Sequence, residues 1–78
     1  MVAEWDRNVR EVVRVSLGYY NGRHTIDVRC WYHHDGGLKP SKTGITLAVK
    51  HISALADALI QAEARAHELG LLDDGGAQ

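Results

Sequence analysis

Asn21-Gly22 sits between two runs of alternating apolar and polar residues, and this arrangement constrains the fold more than any other feature of the chain. In the run before it, residues 12–20 (VVRVSLGYY), Val13, Val15, Leu17 and Tyr19 share one face. Arg14, Ser16, Gly18 and Tyr20 take the other. Period two over this length predicts a half-buried strand. The run after it, residues 24–33 (HTIDVRCWYH), turns Ile26, Val28 and Cys30 inward and Asp27, Arg29 and Trp31 outward. Asn-Gly is the dipeptide that most readily takes the two positive φ values of a type I′ turn. The two runs therefore fold back on each other as a hairpin, apolar on one side, with arginines and aromatics on the other.

The flanking segments extend this sheet. Residues 2–5 predict one more short strand, and Asp35-Gly36-Gly37 predicts a second turn. Residues 38–49 then read as an extended segment broken in its middle. Pro40 cannot donate to a ladder, which confines it to an edge or bulge. Gly44 loosens the chain four residues later, so residues 39–44 form a bend or bulge, after which Ile45 and Leu47 face inward. From about Val49 the period changes. Ile52, Leu55, Leu59, Ala62, Ala66 and Leu69 recur at alternating spacings of three and four, a helical stripe close to a heptad seam. Gly70 stands where a C-cap glycine belongs. The helix start is poorly marked, because Ala48 carries no capping oxygen. Residues 1–70 are thus expected to form one α+β domain, a four-stranded antiparallel sheet followed by one C-terminal helix, with residues 71–78 a disordered tail. One helix covers only one face of such a sheet, leaving the other to water or a ligand.

With 78 residues the core is small, and small domains gain stability from disulfides, metals or oligomerisation. Cys30 is the only cysteine, so no internal disulfide forms, and a reducing compartment fits. The N-terminal residues lack a signal-peptide core and no apolar run reaches membrane-spanning length, so a cytoplasmic or nucleoid-associated protein without a membrane partner is expected. The helical stripe offers Ile52, Leu55 and Leu59, then narrows to Ala62 and Ala66, which lets two helix axes approach. Homodimerisation through this seam is expected, as an isologous pair. The alternative is that the stripe packs on its own sheet.

The net charge of −1 hides a split between seven Lys/Arg and five acids in residues 1–47, and two against five in residues 48–78. Such asymmetry points to an anion-binding face. On the outward side of the hairpin lie Arg14, Tyr20, Arg29 and Trp31, with Arg23 at the turn and Tyr32 at the strand end. Aromatics flanked by guanidinium groups suit single-stranded nucleic acid, whose bases stack while Lys/Arg follow the phosphates. Filling of core or dimer interface is the competing use of these aromatics. Lys39 and Lys42 in the bend suit phosphate, or simply solvent. Cys30, His33, His34 and Asp35 suggest a metal only weakly, since Cys30 points inward and His33 and His34 point to opposite sides. No cofactor or metal is expected. No nucleophile has an evident base and orienter, and nucleotide-loop signatures are absent, so an enzyme is not expected.

Taken in order, Tyr20-Asn21-Gly22-Arg23, then residues 26–32 (IDVRCWY), then residues 39–47 (KPSKTGITL) resemble the C-terminal domain of the Positive Cofactor 4 transcriptional coactivators, above all its short bacterial and phage-type members. The resemblance covers about residues 2–69. It implies a curved four-stranded sheet and one helix, dimerisation through that helix, and channels for single-stranded DNA. By analogy Tyr20 and Tyr32 take the positions of stacking aromatics, with Trp31 beside one of them, and Arg23, Arg29, Lys39 and Lys42 face phosphates. Departures include Asn21 in place of a lysine and Thr43 in place of a basic residue, each a loss of positive charge. The expected function is sequence-tolerant single-stranded DNA binding by a homodimer, in transcription or in replication and repair. The alternatives are an RNA-binding protein of the same architecture, or a protein-interaction module that contacts transcription machinery without binding DNA.

Overall fold

The computed structural model describes residues 1–72; the expected tail falls, beyond Leu72, outside the described residues. Four strands, β1 (Ala3–Asp6), β2 (Glu11–Tyr20), β3 (Arg23–His34) and β4 (Gly37–Ala48), form one antiparallel sheet in sequential order. A 3-10 turn, Val49–His51, leads into the helix α1 (Ile52–Glu68). β2 and β3 follow the period read from the sequence, and β1 and β4 lie where extended segments were expected. Asn21 and Gly22 take φ of 51° and 76°, as a type I′ turn requires. Asp35 and Gly36 repeat the pair at 50° and 79°, so a second tight turn joins β3 to β4.

Register decides which side chains share a face. On β2 and β3 the pairs Val13–Cys30, Val15–Val28 and Leu17–Ile26 stand together, and β4 adds Ile45 opposite Val28 and Leu47 opposite Ile26. The other face holds Val12–Trp31, Arg14–Arg29, Ser16–Asp27 and Tyr20–Arg23. The expected break in β4 is a shift of register between Arg29 and Trp31. Arg29 pairs with Gly44 and Trp31 with Pro40, so Ser41, Lys42 and Thr43 bulge opposite the single residue Cys30. Gly44 is required there. A Cβ on it would meet the Val28 carbonyl oxygen at 2.6 Å and the Arg29 Cα at 2.8 Å.

The helix ends as its sequence predicts. Gly70 has φ of 71°, and its N–H donates to the His67 carbonyl at 3.0 Å while the Leu71 N–H donates to that of Ala66 at 2.9 Å, the paired bonds of a Schellman cap. Its start carries no side-chain cap, also as expected. One expectation is corrected. The helix was expected to cover one face of the sheet, but it runs on from the 3-10 turn without packing along either face, and none of its residues is buried. The stripe therefore does not use its own sheet as a partner. Among the described residues only Val12, on the outward face, and Ile26 and Cys30, on the apolar face, are buried apolar side chains, while Leu17 is 59% exposed, Ile45 49% and Leu59 61%. No helix among the described residues is long and apolar enough to cross a membrane.

Candidate nucleic-acid interface

The outward face of the β2–β3 hairpin carries Arg14, Tyr20, Arg23, Arg29 and Trp31 on one surface. From Arg23 to Trp31 the strand runs about 26 Å, at about 3.3 Å per residue. Tyr20 is open to solvent at the hairpin tip, directly across from Arg23. Lys42 is exposed at the middle of the β4 bulge. Tyr32 and Lys39 form a cross-strand pair at the opposite end, where strand alternation turns them to the apolar side. The structure thus gathers six of the eight nucleic-acid residues expected from sequence along one face and its bulged edge, and sets Tyr32 and Lys39 apart.

Two of the arginines are committed to internal partners. The Arg29 Nε donates to both Asp27 carboxylate oxygens at 3.1–3.2 Å, and Nη2 donates to Asp27 Oδ1 at 2.9 Å and Thr46 Oγ1 at 3.2 Å. Nη1 donates to the Ser41 carbonyl at 3.0 Å, which ties β3 to the bulge. Of five N–H groups one is left without a protein acceptor. The brace is reinforced by the Thr46 hydroxyl donating to Asp27 at 2.6 Å and by the Ser41 hydroxyl donating to the Cys30 carbonyl at 2.8 Å. Partial burial pushes the Asp27 carboxyl up, but hydrogen bonds from Arg29 and Thr46, with the charge of Arg29, outweigh it and hold it below its ordinary value. The same hydrogen bond to Asp27 raises Arg29 further, against a smaller loss of hydration. Gly44, without a side chain, leaves room for Arg29 to cross β4.

Arg14 is held differently. Its guanidinium lies 4.4 Å from the centre of the Trp31 ring and bridges to Glu4 of β1, with Nη2 at 2.8 Å and Nε at 2.9 Å from Oε1. Val12, directly across from Trp31, is buried although it belongs to the outward face. Trp31 is accordingly half-buried, and its Nε1 is shielded with no protein acceptor. Among the described residues no carboxylate lies within ion-pair distance of Arg10, Arg23, Lys39, Lys42 or Lys50, so among the expected nucleic-acid residues Arg23, Lys39 and Lys42 carry uncompensated positive charge.

Several contributors were not visible in the sequence. Glu4 reaches Arg14 only because β1 pairs beside β2, setting Glu4 opposite Arg14. The β1–β2 loop is folded by Asn8, whose Oδ1 accepts from the backbone N–H of Arg10 and of Glu11 at 2.9 Å. With Tyr32 and His33 this loop lines an open recess that brings Arg10 to the strand end, and no local signal marks it. Cys30 faces the apolar side and accepts a 3.2 Å hydrogen bond from Arg7 Nη1, while His34 pairs with Asp35 in the second turn. No group of three metal-ligating side chains occurs among the described residues.

Comparison with known proteins gives this geometry a family. A search of curated protein sequences finds no match. Among solved structures, a PC4 homolog from Burkholderia pseudomallei, BPSL1147, superposes with a TM-score of 0.74 at 25% identity, over 80% of this chain and 85% of that one. A second crystal form of it gives 0.73, over 80% and 93%. MoSub1, crystallised as a complex with single-stranded DNA, matches with a TM-score of 0.61 at 27% identity, over 86% of this chain and 78% of that one. The family model described as Transcriptional Coactivator p15 (PC4) matches residues 8–58, from the β1–β2 loop into the first turns of the helix. The family is one of coactivators and not of enzymes, and with most of its sheet and the helix entry covered by that match, this chain belongs to the PC4 family.

Proposed function

We propose that this protein binds single-stranded DNA as a homodimer, with little sequence preference, in the cytoplasm or on the nucleoid, and serves transcription or replication and repair. The observation that carries the reading is the outward hairpin face, where exposed Tyr20 and the uncompensated Arg23 and Lys42 line one surface. It is supported by a structural relative crystallised with single-stranded DNA. Stacking and phosphate contacts do not read base edges, hence the tolerance of sequence. Tyr32 and Lys39 serve the strand end, and Arg29 acts mainly as the brace that shapes the β4 bulge around Lys42.

Dimerisation follows from what the single chain leaves open. On the helix Ile52, Leu59 and Ala62 are exposed and Leu55 and Ala66 only partly covered, and on the apolar sheet face Leu17 and Ile45 are about half exposed. Ile60, 63% exposed, lies about 100° round the helix from Leu59 and widens the apolar surface. Covering such half-exposed Leu and Ile side chains contributes on the order of 1 kcal/mol each. A second copy offers the same two surfaces in reverse, as an isologous pair requires.

Titration of a fluorescent oligo-dT at several salt concentrations, beside a matched duplex, tests the reading. Engagement of Arg23, Lys39 and Lys42 predicts a slope of log K against log salt of about −2, and engagement of Arg14 and Arg29 as well would steepen it to about −3.5. Weaker binding to duplex is expected, because its base faces are hidden. A second reading is favoured by the neutralisation of Arg14 and Arg29 by Glu4 and Asp27, which leaves the face only modestly positive. It is a protein-interaction module for transcription machinery, and absence of binding at low salt would select it.

A further inference from the structure

We infer that Glu4 limits the affinity of the nucleic-acid face, by holding Arg14 as a cover over the Trp31 ring. This inference rests on the proposal that the face binds single-stranded nucleic acid. A base stacks on Trp31 only if a face of its ring is open. Here the Arg14 guanidinium sits 4.4 Å above that ring, and it is fixed there by two contacts to Glu4 Oε1 at 2.8 and 2.9 Å. The pair therefore does two things at once. It occupies the stacking position, and it spends the charge of Arg14 on a carboxylate instead of a phosphate.

The cover is weak enough to be displaced. A partly exposed ion pair and a partly exposed cation–π contact are each small, comparable to what one stacked base gains. Glu4 lies on a four-residue edge strand, so it is held to the sheet on one side only. Two states are thus close in energy, and Glu4 biases the chain to the covered one. Without Glu4, Arg14 keeps its contact with the ring edge or stacks between ring and base, and adds one phosphate partner.

The test compares the full-length chain with Glu4→Gln, Arg14→Gln and the double variant, each titrated with fluorescent oligo-dT across a salt series. Glu4→Gln is expected to tighten binding about three- to fivefold at low salt and to steepen the salt slope by about 0.7, the release expected for one extra phosphate contact on a single strand. In the Arg14→Gln background the further change Glu4→Gln is expected to add nothing. Thermal melts of all variants verify folding, and the isosteric amide keeps the strand pairing intact. Binding by the wild type with no change in Glu4→Gln overturns the cover while leaving the single-strand reading in place. A gain of the double variant over Arg14→Gln alone overturns it too, because Glu4 then acts through overall charge and not through Arg14. Absence of binding by every variant at low salt overturns both. Binding by Glu4→Gln alone supports the cover in its strongest form.

Discussion

The two sides of this small sheet are finished to different degrees. The outward face is closed on itself. Asp27, Arg29, Thr46 and Ser41 form a connected network, and Arg14 is gripped between Glu4 and Trp31. The apolar face and the helix have no such closure, since Leu17, Ile45, Leu59 and Ile60 are about half or more exposed in the single chain. Polar networks can be completed locally, by residues a few positions away on a neighbouring strand. Apolar surface can be completed only by more apolar surface, and 78 residues do not supply enough of it. The difference separates the part of the fold that is complete within one chain from the part that the proposed homodimer would cover.

The largest effect is expected where the unfinished side is attacked. Leu59→Glu places a charge in the middle of the helical seam, and burying it against a second copy costs several kcal/mol, twice over in a symmetric pair. The wild type is expected to sediment as a dimer and to melt at a temperature that rises with concentration. The variant is expected to sediment as a monomer and to lose most of its cooperative melt. A dimer of unchanged stability carrying Leu59→Glu would show that the helix is not the contact.

The next effect tests the finished side. Gly44→Ala adds a Cβ that would stand 2.6 Å from the Val28 carbonyl oxygen and 2.9 Å from the Arg29 Cβ, so β4 must shift away from β3. Overpacking of this kind typically costs about 1–3 kcal/mol. A lowered urea midpoint with the sedimentation of the wild type is expected, because the helix is untouched. If the midpoint did not move, the bulge would be loose and the network around Arg29 would not be holding it.

What could be read from the sequence follows the same division. Alternation in residues 12–20 and 24–33 assigned both faces correctly, because a strand's period is a local property. The Asn-Gly turn and the Gly70 cap were equally local, and both take the positive φ that their residues favour. Neighbours across strands were out of reach. That Glu4 would find Arg14 depends on the register of β1, set by a loop in which the Asn8 side chain bonds the backbone. That Arg29 would reach the Ser41 carbonyl depends on a three-residue bulge whose place Pro40 and Gly44 only bracketed. The helix stripe was plain, but a stripe states only that something covers it. Packing on the sheet and packing on another copy demand the same pattern, and within one chain none of the helix residues is buried.

The smallest effect sharpens the comparison from the pH axis. Asp27 sits below its ordinary carboxylate value of 3.8 because Arg29 and Thr46 bond its ionised form more than burial opposes it. The unfolded chain regains the ordinary value, so in acid it binds a proton more readily than the folded chain does. Stability from this group is therefore complete above about pH 4 and falls as pH drops through the lowered folded value. Asp27→Asn removes that dependence. It keeps one acceptor for Arg29 but loses the charge-assisted pair, at a cost of about 1 kcal/mol near neutral pH. Urea midpoints measured for both proteins between pH 7 and pH 3 should converge as the medium becomes acid. Parallel curves with a constant gap would mean that the Asp27 charge does nothing for the sheet, and that Arg29 is held in place by Ser41 and Thr46 alone.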